Sequence, residues 1–405
     1  VFDKLAVGPT VEFSGRFTSI LFSLGVLAFI YFMLYEYFGK TTALFGGFFF
    51  AVLPYSIFYS RVILPEPTLL FFGVGMIYFF DKWIRTDRKV SYIFATLFAA
   101  LALLIKPTAV FFMTPLLYLV WKKWGWKAVF NPWLYVFAVV AVGPLLWWRS
   151  WISQFPEGIP AFTWLLNGNG IRFKGSFFWW IFGERISKML LGFWGLPLFI
   201  LGILSRPGKK EGWVFHWWLV GSLAYLTVFA TGNVQHDYYQ LFIVPILVIF
   251  LAKGAATVLF ARDEVFPRIV RVPVLIFSIA LMCALGWYQI RDLFNINHPE
   301  IVEAGREFDR IEPNDKVTVI APYDGDTAFL YQTGQPGWPI MEGTIDDMIA
   351  KGAHYYISVR LDDQTTKEIL KEAKNPKGSP KGFEVIKETP QYVIVRIVPK
   401  NKLPQ

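Results

Sequence analysis

Long apolar segments constrain this chain more than any other feature of its sequence. In the first 290 residues, about ten runs are dominated by Phe, Leu, Ile and Val, without the alternation expected of strands. Transmembrane helices need about 17–25 such residues each. The sequence therefore predicts a multi-pass α-helical membrane protein with about ten transmembrane or half-depth helices. The runs cover approximately residues 17–37, 42–59, 67–83, 91–105, 107–121, 132–148, 188–204, 213–230, 238–256 and 272–290.

Two neighbouring runs, 91–105 and 107–121, meet at Lys106-Pro107. Each has only about 15 residues, which is marginal for a full membrane span. We therefore expect either a shallow helical hairpin or two tilted short helices. Lys106 then lies at the point where the two meet.

Charge divides the chain near residue 290. Residues 1–290 carry 24 Lys and Arg against 12 Asp and Glu, whereas residues 291–405 carry 15 against 18. Basic loops on the cytoplasmic side of a membrane explain the first excess, so no nucleic-acid partner is expected. In residues 291–405 helix and strand patterns alternate, which predicts a small α/β domain. We expect turn and cap positions, rather than a catalytic pair, for its aspartates Asp324, Asp326, Asp346, Asp347, Asp362 and Asp363.

The loops also predict an orientation. With Val1 outside, alternate loops place fifteen basic residues on one side and nine on the other, and the richer side is expected to be cytoplasmic. Three polar groups then share the extracytoplasmic face with residues 291–405: Arg61 with Glu66, Lys106, and His236-Asp237-Tyr238-Tyr239. The aromatic stretch 149–187 lies on that face as well. It is either a passive interfacial cover or a mobile lid that flexes at Asn167-Gly168-Asn169-Gly170.

The segment Arg61-Val-Ile-Leu-Pro-Glu66-Pro67 places two charges between two apolar runs. Ionisable groups in such places mark functional sites by default. Simpler interpretations stay open for each residue. Arg61 and Glu66 could form a helix-end ion pair or a solvated turn, Lys106 could be an interfacial anchor, and His236 could be a hydrogen-bonded loop residue. The sequence contains no GxxxxGK[ST], GxGxxG or HExxH motif and a single Cys283, so nothing supports a nucleotide, a structural metal or an internal disulfide.

Several of these segments resemble the GT-C superfamily of polyprenyl-phosphate-dependent glycosyltransferases. The branch in question contains bacterial aminoarabinose transferases and protein O-mannosyltransferases, and the resemblance covers about residues 7–255. It rests on an opening segment that ends at Arg16, on Tyr59-Ser60-Arg61 followed by Glu66 at the next helix start, on ALALLIKPTAVFFMTPL, and on HDYYQLFIVPILVIFLAKGA.

The resemblance implies transfer of a sugar from a polyprenyl monophosphate donor to a lipid, protein or glycan acceptor on the extracytoplasmic face, with inversion. Glu66 matches an acidic catalytic position, and the remaining matched residues are expected to bind substrate: Arg16, Arg61, Lys106, His236, Tyr238 and Tyr239. The family's first helix and first external loop, which carries the principal catalytic Asp, would precede Val1. We therefore expect this chain to be a fragment in which Glu66 supports a base that lies upstream.

No cofactor is predicted, since Glu66 alone supplies too few oxygen ligands for a confident divalent-cation site. Two other classes of protein stay open. A transporter or flippase would show inverted repeats of broken helices, and the sequence offers no convincing one. A non-catalytic scaffold that displays the C-terminal domain would bind no lipid phosphate.

Overall fold

The structure is a computed structural model, and it describes residues 11–156, 162–295, 298–313, 317–375 and 378–398. The chain divides into two compact units, Val1–Phe294 and Asn295–Gln405. The predicted boundary after residue 290 falls within the last turns of the first unit.

The described residues of the first unit form helices and the turns that connect them. Its helices are α1 (Val11–Phe38), α2 (Lys40–Val52), α3 (Pro54–Tyr59), α4 (Glu66–Thr86), α5 (Lys89–Ile105), α6 (Thr114–Trp124), α7 (Pro132–Ile152), α8 (Trp164–Asn167), α9 (Gly175–Phe178), α10 (Leu196–Leu204), α11 (Val214–Val228), α12 (Ala230–Gln235), α13 (Val244–Leu259) and α14 (Arg268–Ile290). The segment Trp179–Leu190 is a π-helix, and 3₁₀ turns cover Pro107–Met113, Gly125–Phe130, Gly168–Phe173, Asp237–Ile243 and Arg291–Phe294.

Four of the described helical stretches are long and apolar enough to cross a membrane. They are Val11–Phe38, Pro132–Ile152, Asp237–Leu259 and the stretch that begins at Arg268. Lys40–Val52, Lys89–Ile105 and Val214–Val228 are apolar but shorter. The predicted α-helical membrane protein is thereby confirmed, while the number of spans stays a prediction.

Small residues allow close helix packing in this unit. A Cβ atom at Gly202 would lie 1.9 Å from the carbonyl oxygen of Phe250, and one at Gly254 would lie 1.9 Å from that of Leu198. Helices α10 and α13 therefore touch backbone to backbone, as is common between membrane helices. This contact fixes α13, whose first turn adjoins the site described below.

The second unit is an α/β domain with a five-stranded sheet of order β2-β1-β3-β5-β4. Strand β1 pairs in parallel with β2 and β3, whereas β5 pairs antiparallel with β3 and β4. Separate apolar clusters lie on its two faces, one including Phe308 and Phe329 and the other Met348 and Ile369. Its elements are α15 (Pro299–Ile311), β1 (Val319–Ile320), α16 (Ala328–Gln332), β2 (Gly337–Trp338), α17 (Ile345–Ala350), β3 (Tyr355–Ser358), α18 (Gln364–Ala373), β4 (Glu384–Glu388) and β5 (Val393–Arg396).

Aspartates of this domain occupy caps and turns. Asp347 and Thr344 form a capping box at the start of α17, and hydrogen bonds from Thr344 lower the pKa of the Asp347 carboxyl. Asp363 caps α18 by accepting from the backbone N–H of Thr366 at 3.2 Å. Asp326 accepts from the N–H of Ala328 at 2.8 Å. These three residues agree with the roles expected from the sequence.

Candidate active site at two broken helices

An ion pair with a buried carboxylate joins two of the predicted site residues. Glu66 is the first residue of α4, between two prolines, where the helix dipole favours a carboxylate. The Lys106 ammonium donates to Glu66 Oε1. The Glu66 side chain is only 5% exposed and that of Lys106 27%. Glu66 Oε2 is buried and has no hydrogen-bond partner among the described residues. The pair therefore leaves one buried carboxylate oxygen without a hydrogen-bond partner among the described residues.

The simpler interpretation of Arg61 and Glu66 as a helix-end ion pair does not hold, because Glu66 pairs with Lys106. The Arg61 guanidinium instead lies over the rings of Phe58 and Phe294, 5.8 and 4.6 Å from their centroids. Its Nε is buried without a partner among the described residues. Arg16 lies on α1 with an exposed side chain. The structure therefore does not bring Arg16 or Arg61 into the ion pair.

Lys106 lies at a break between two helical segments. Its backbone is extended (φ −149°, ψ 127°), α5 ends at Ile105, and a 3₁₀ turn covers Pro107–Met113 before α6 begins. Pro107 has no N–H to continue the α-helical ladder. Short helical segments therefore meet at Lys106, and the choice between the two geometries expected for the junction stays a prediction.

His236 lies at a second break of the same form. It is extended (φ −117°, ψ 123°) between α12 and the 3₁₀ turn Asp237–Ile243, and α13 follows. Both 3₁₀ turns have seven residues, and the next helix carries Pro as its second residue in each case, Pro115 and Pro245. Two broken helices thus carry the two predicted site residues at equivalent positions.

Stacked aromatic rings hold the two breaks together. The rings of Phe112 and Phe242 have centroids 4.0 Å apart, and Tyr225 of α11 stacks on Phe242 at 4.1 Å. All three side chains are buried. Gly73 of α4 makes room for them, because a Cβ atom there would lie 2.5 Å from the Phe112 ring.

Aromatic rings surround the Lys106 ammonium and His236. Nζ of Lys106 lies 4.9 Å from the Tyr239 ring centroid, within the range of a cation–π contact. The His236 ring is 5.3 Å from Tyr238, 5.9 Å from Tyr239 and 5.7 Å from Trp164 of α8. We call Trp164, His236, Tyr238 and Tyr239 the aromatic cluster. It offers flat apolar faces next to the charged pair.

Three side chains that the sequence did not single out fix the backbone around His236. The Tyr55 hydroxyl donates to the carbonyl of Asp237 at 2.7 Å. Trp180 Nε1 and Arg185 Nη2, both from the π-helix, donate to the carbonyl of Val234 at 2.9 and 2.8 Å. In the sequence, Tyr55 resembles a core aromatic residue, and Trp180 and Arg185 resemble residues of an interfacial belt. Because all three are far from His236 along the chain, the sequence contains no sign of their contacts with its neighbours.

The aromatic stretch 149–187 forms short helical segments, with residues 157–161 outside the described part. Asn169 and Gly170 have left-handed backbones (φ 55° and 64°), at the point where flexing was expected. Arg172 ties the stretch to α11, donating to the carbonyls of Thr227 and Val228 at 2.6 and 2.7 Å. Whether the stretch is a cover or a lid stays a prediction. Across the described residues, no group of three His, Cys, Asp or Glu side chains is placed to hold a metal ion.

The broken helices, the Glu66–Lys106 ion pair and the apolar helical body form an α-helical membrane protein that resembles the GT-C superfamily. Residues 4–148 match the sequence model of the dolichyl-phosphate-mannose-protein mannosyltransferase family. This segment contains Glu66 and Lys106 and covers less than half of the chain. A search of curated protein sequences finds no match.

This chain is similar in fold to two crystal structures of ArnT from Cupriavidus metallidurans. The structure bound to undecaprenyl phosphate has a TM-score of 0.64 and 14% identity, covering 97% of this chain and 85% of that chain. The apo structure has a TM-score of 0.59 and 12% identity, covering 96% and 84%. At these identities the likeness is one of fold. The resemblance inferred from the sequence is confirmed.

Proposed function

We propose that this protein is an inverting membrane glycosyltransferase that moves a sugar from a polyprenyl monophosphate donor to an acceptor on the extracytoplasmic face. The observation that carries the proposal is the Glu66–Lys106 pair, which leaves Glu66 Oε2 unpartnered and lies beside the aromatic cluster. A paired charge costs less to bury than a single one, and its free donors and acceptor remain available to substrate.

Lys106 is the proposed contact for the donor phosphate. An ammonium group has three N–H donors, of which one bonds Glu66. The remaining donors can bind a phosphate oxygen, and they stabilise the negative charge that develops there as the bond between the anomeric carbon and this oxygen breaks. The low exposure of the pair strengthens this stabilisation, because water screens it less.

Glu66 is the proposed orienting carboxylate for the acceptor. Its free Oε2 can accept a hydrogen bond from the attacking O–H or N–H group, which holds the nucleophile in line with the bond that breaks. The nucleophile forms a bond to the anomeric carbon from the face opposite the phosphate, gives up its proton to a base, and the bonding electrons leave with the phosphate. The anomeric configuration is thereby inverted.

The aromatic cluster and a neighbouring cavity fit the two ends of such a donor. Sugar rings present flat faces of C–H groups that pack against aromatic side chains such as Tyr238 and Trp164. An apolar cavity of about 290 Å³ lies between the π-helix, α10, α11 and α13, lined by twelve apolar side chains and Ser222. An apolar cavity of this kind suits a prenyl chain, which is hydrocarbon along its length.

The decisive experiment compares two Lys–Glu pairs of this protein. Lys188 and Glu184 form an ion pair on the π-helix, with side chains 36% and 29% exposed, and they lie outside the proposed site. Purified wild type, Lys106→Ala and Lys188→Ala are titrated with undecaprenyl phosphate and examined by native mass spectrometry. We expect Lys106→Ala alone to lose bound lipid. Equal binding by wild type and Lys106→Ala would exclude the phosphate assignment, and no binding by wild type would favour a scaffold.

A transporter or flippase is the alternative, and the pair of broken helices is the observation in its favour, since such helices form many transport sites. Reconstituted vesicles that contain a lipid-linked sugar and an acceptor distinguish the two functions. Transfer gives a glycosylated product. Movement of the lipid-linked sugar across the bilayer without any product would replace the transferase proposal by the transport proposal.

A further inference from the structure

The C-terminal domain has a crevice at one edge of its sheet. Strand β1 connects onward to β2, on one side, while β3 connects onward towards β4 and β5, on the other. The loops that follow β1 and β3 therefore diverge, and they leave a gap above the carboxyl ends of these two parallel strands. In open α/β sheets such a switch point is where ligands bind.

A cavity of about 240 Å³ occupies this gap. Asp324 lines it from the loop after β1, and Arg360 and Asp363 line it from the loop after β3. Arg360 Nη1 donates to Asp324 Oδ1 at 2.9 Å, and Arg360 Nη2 donates to Asp324 Oδ2, so the contact is bidentate. Asp363 uses one oxygen to cap α18. Both chain segments are thus fixed, and polar groups remain directed at the space between them.

The lining groups select the chemistry of the ligand. Two carboxylates and one guanidinium give the cavity a net negative charge, and both Arg360 terminal nitrogens already bond Asp324. An anion is therefore disfavoured. Carboxylate oxygens accept from hydroxyl groups, whereas Ile340 and Met341 form an apolar wall. A neutral polyhydroxy ring, with hydroxyls at its edge and C–H groups on its face, complements both.

A second depression continues the first. It has a volume of about 430 Å³ and shares Met341 and Thr365 with the crevice. Its further lining again combines carboxylates, here Glu368 and Glu372, with an apolar surface from Phe383. The two depressions form one groove that repeats the same chemistry, which suits a ligand built from several similar units.

We propose that this groove in the C-terminal domain is a binding site for a neutral oligosaccharide. The α18 cap is retained by serine, which is as good an N-cap as aspartate. Asp363→Ser thus keeps the cap oxygen and removes the second carboxylate oxygen from the cavity. Asp362→Ser makes the same change one residue earlier, at a position that does not line the cavity. These two variants separate loss of a ligand contact from loss of charge or of folding.

The experiment uses the full chain in phosphatidylcholine nanodiscs, free of sugar-based detergents, titrated with linear tetrasaccharides of mannose and of glucose. We expect at least one to bind, with protection from hydrogen exchange in the loops after β1 and β3. Asp363→Ser should weaken binding about tenfold, the effect of one hydrogen bond to a charged acceptor, and Asp362→Ser should not.

Three outcomes would overturn the proposal: no binding by wild type at millimolar saccharide, equal weakening by the two serine variants, or displacement of the saccharide by inorganic phosphate at lower concentration. The inference does not depend on the transferase function. The nanodisc titration contains neither lipid donor nor acceptor, so its failure would leave transfer at Glu66 and Lys106 unaffected.

Discussion

Phe112 and Phe242 stack with their ring planes 22° apart, and each lies six residues after the break in its own helix, Phe112 after Lys106 and Phe242 after His236. This contact relates the two breaks directly, because it joins equivalent positions of the two 3₁₀ turns. The site thus depends on a hydrophobic contact that takes no part in the proposed chemistry.

Removal of this stack should impair both stability and binding. Phe242→Ala deletes a ring that is 2% exposed, and we expect the free energy of unfolding to fall by about 3 kcal/mol. A double-mutant cycle with Phe112→Ala should give a coupling energy of about 1 kcal/mol. Phe130→Ala, at an exposed position, is the control. Additive effects of Phe112→Ala and Phe242→Ala would show that the stack does not couple the breaks.

The Tyr55 hydroxyl should matter for donor binding more than for stability. Tyr55→Phe leaves the carbonyl of Asp237 without its 2.7 Å hydrogen bond, which costs about 1 kcal/mol and loosens the backbone next to His236. We expect a higher KM for the lipid-linked donor at nearly unchanged expression. Tyr135→Phe removes a bond of the same type and length, to the carbonyl of Val129, and should leave KM unchanged.

Gly73 should not tolerate a methyl group. In Gly73→Ala the new Cβ meets the Phe112 ring at 2.5 Å, so the ring must move, at a cost of about 1–3 kcal/mol. Gly143 is also within a helix, but a Cβ there meets nothing within 4 Å. Gly143→Ala should therefore be neutral or slightly stabilising. Thermal unfolding of both variants in detergent tests this contrast, and equal melting temperatures would contradict it.

The C-terminal domain should lose stability as the pH falls below 6.5. His354 Nδ1 accepts a hydrogen bond from the Thr318 N–H at 3.0 Å, and burial lowers the pKa of this histidine below its ordinary 6.5. The unfolded chain therefore binds the proton more readily, so the stabilising contribution is complete above pH 6.5 and is lost as the pH falls through the lower, folded-state pKa.

Hydrogen exchange of the β1 and β3 amides in the full chain, between pH 7.5 and 5.5, measures this effect after correction for intrinsic rates. His354→Asn removes the titrating group and should abolish the pH dependence within this range. The carboxyl of Asp347 titrates below its ordinary pKa of 3.8, outside this window. An unchanged slope in His354→Asn would assign the effect to another group.

Local sequence signals predicted the elements of this structure well, and contacts between distant segments less well. The two short apolar runs that meet at Lys106-Pro107 indicated a break, because each is marginal for a full membrane span, and Asp363 was expected at a turn or cap position. The partner of Glu66 was not recognisable, since Arg61 is five residues away along the chain and Lys106 forty. Tyr55 and Arg185 were missed because their partners are also distant along the chain. Every residue type has a backbone carbonyl, so the identity of the acceptor residue does not indicate the hydrogen bond.

Lys106 is the extended residue that directly follows α5. The length of α5 therefore determines where Lys106 lies relative to Glu66. Deleting a single residue from α5 would turn Lys106 by about 100° around the helix axis and shift it by about 1.5 Å, away from Glu66. Exchange of one apolar residue for another in α5 changes neither value. Evolution of this region should consequently accept many substitutions but almost no insertions or deletions, and the same holds for α12 ahead of His236.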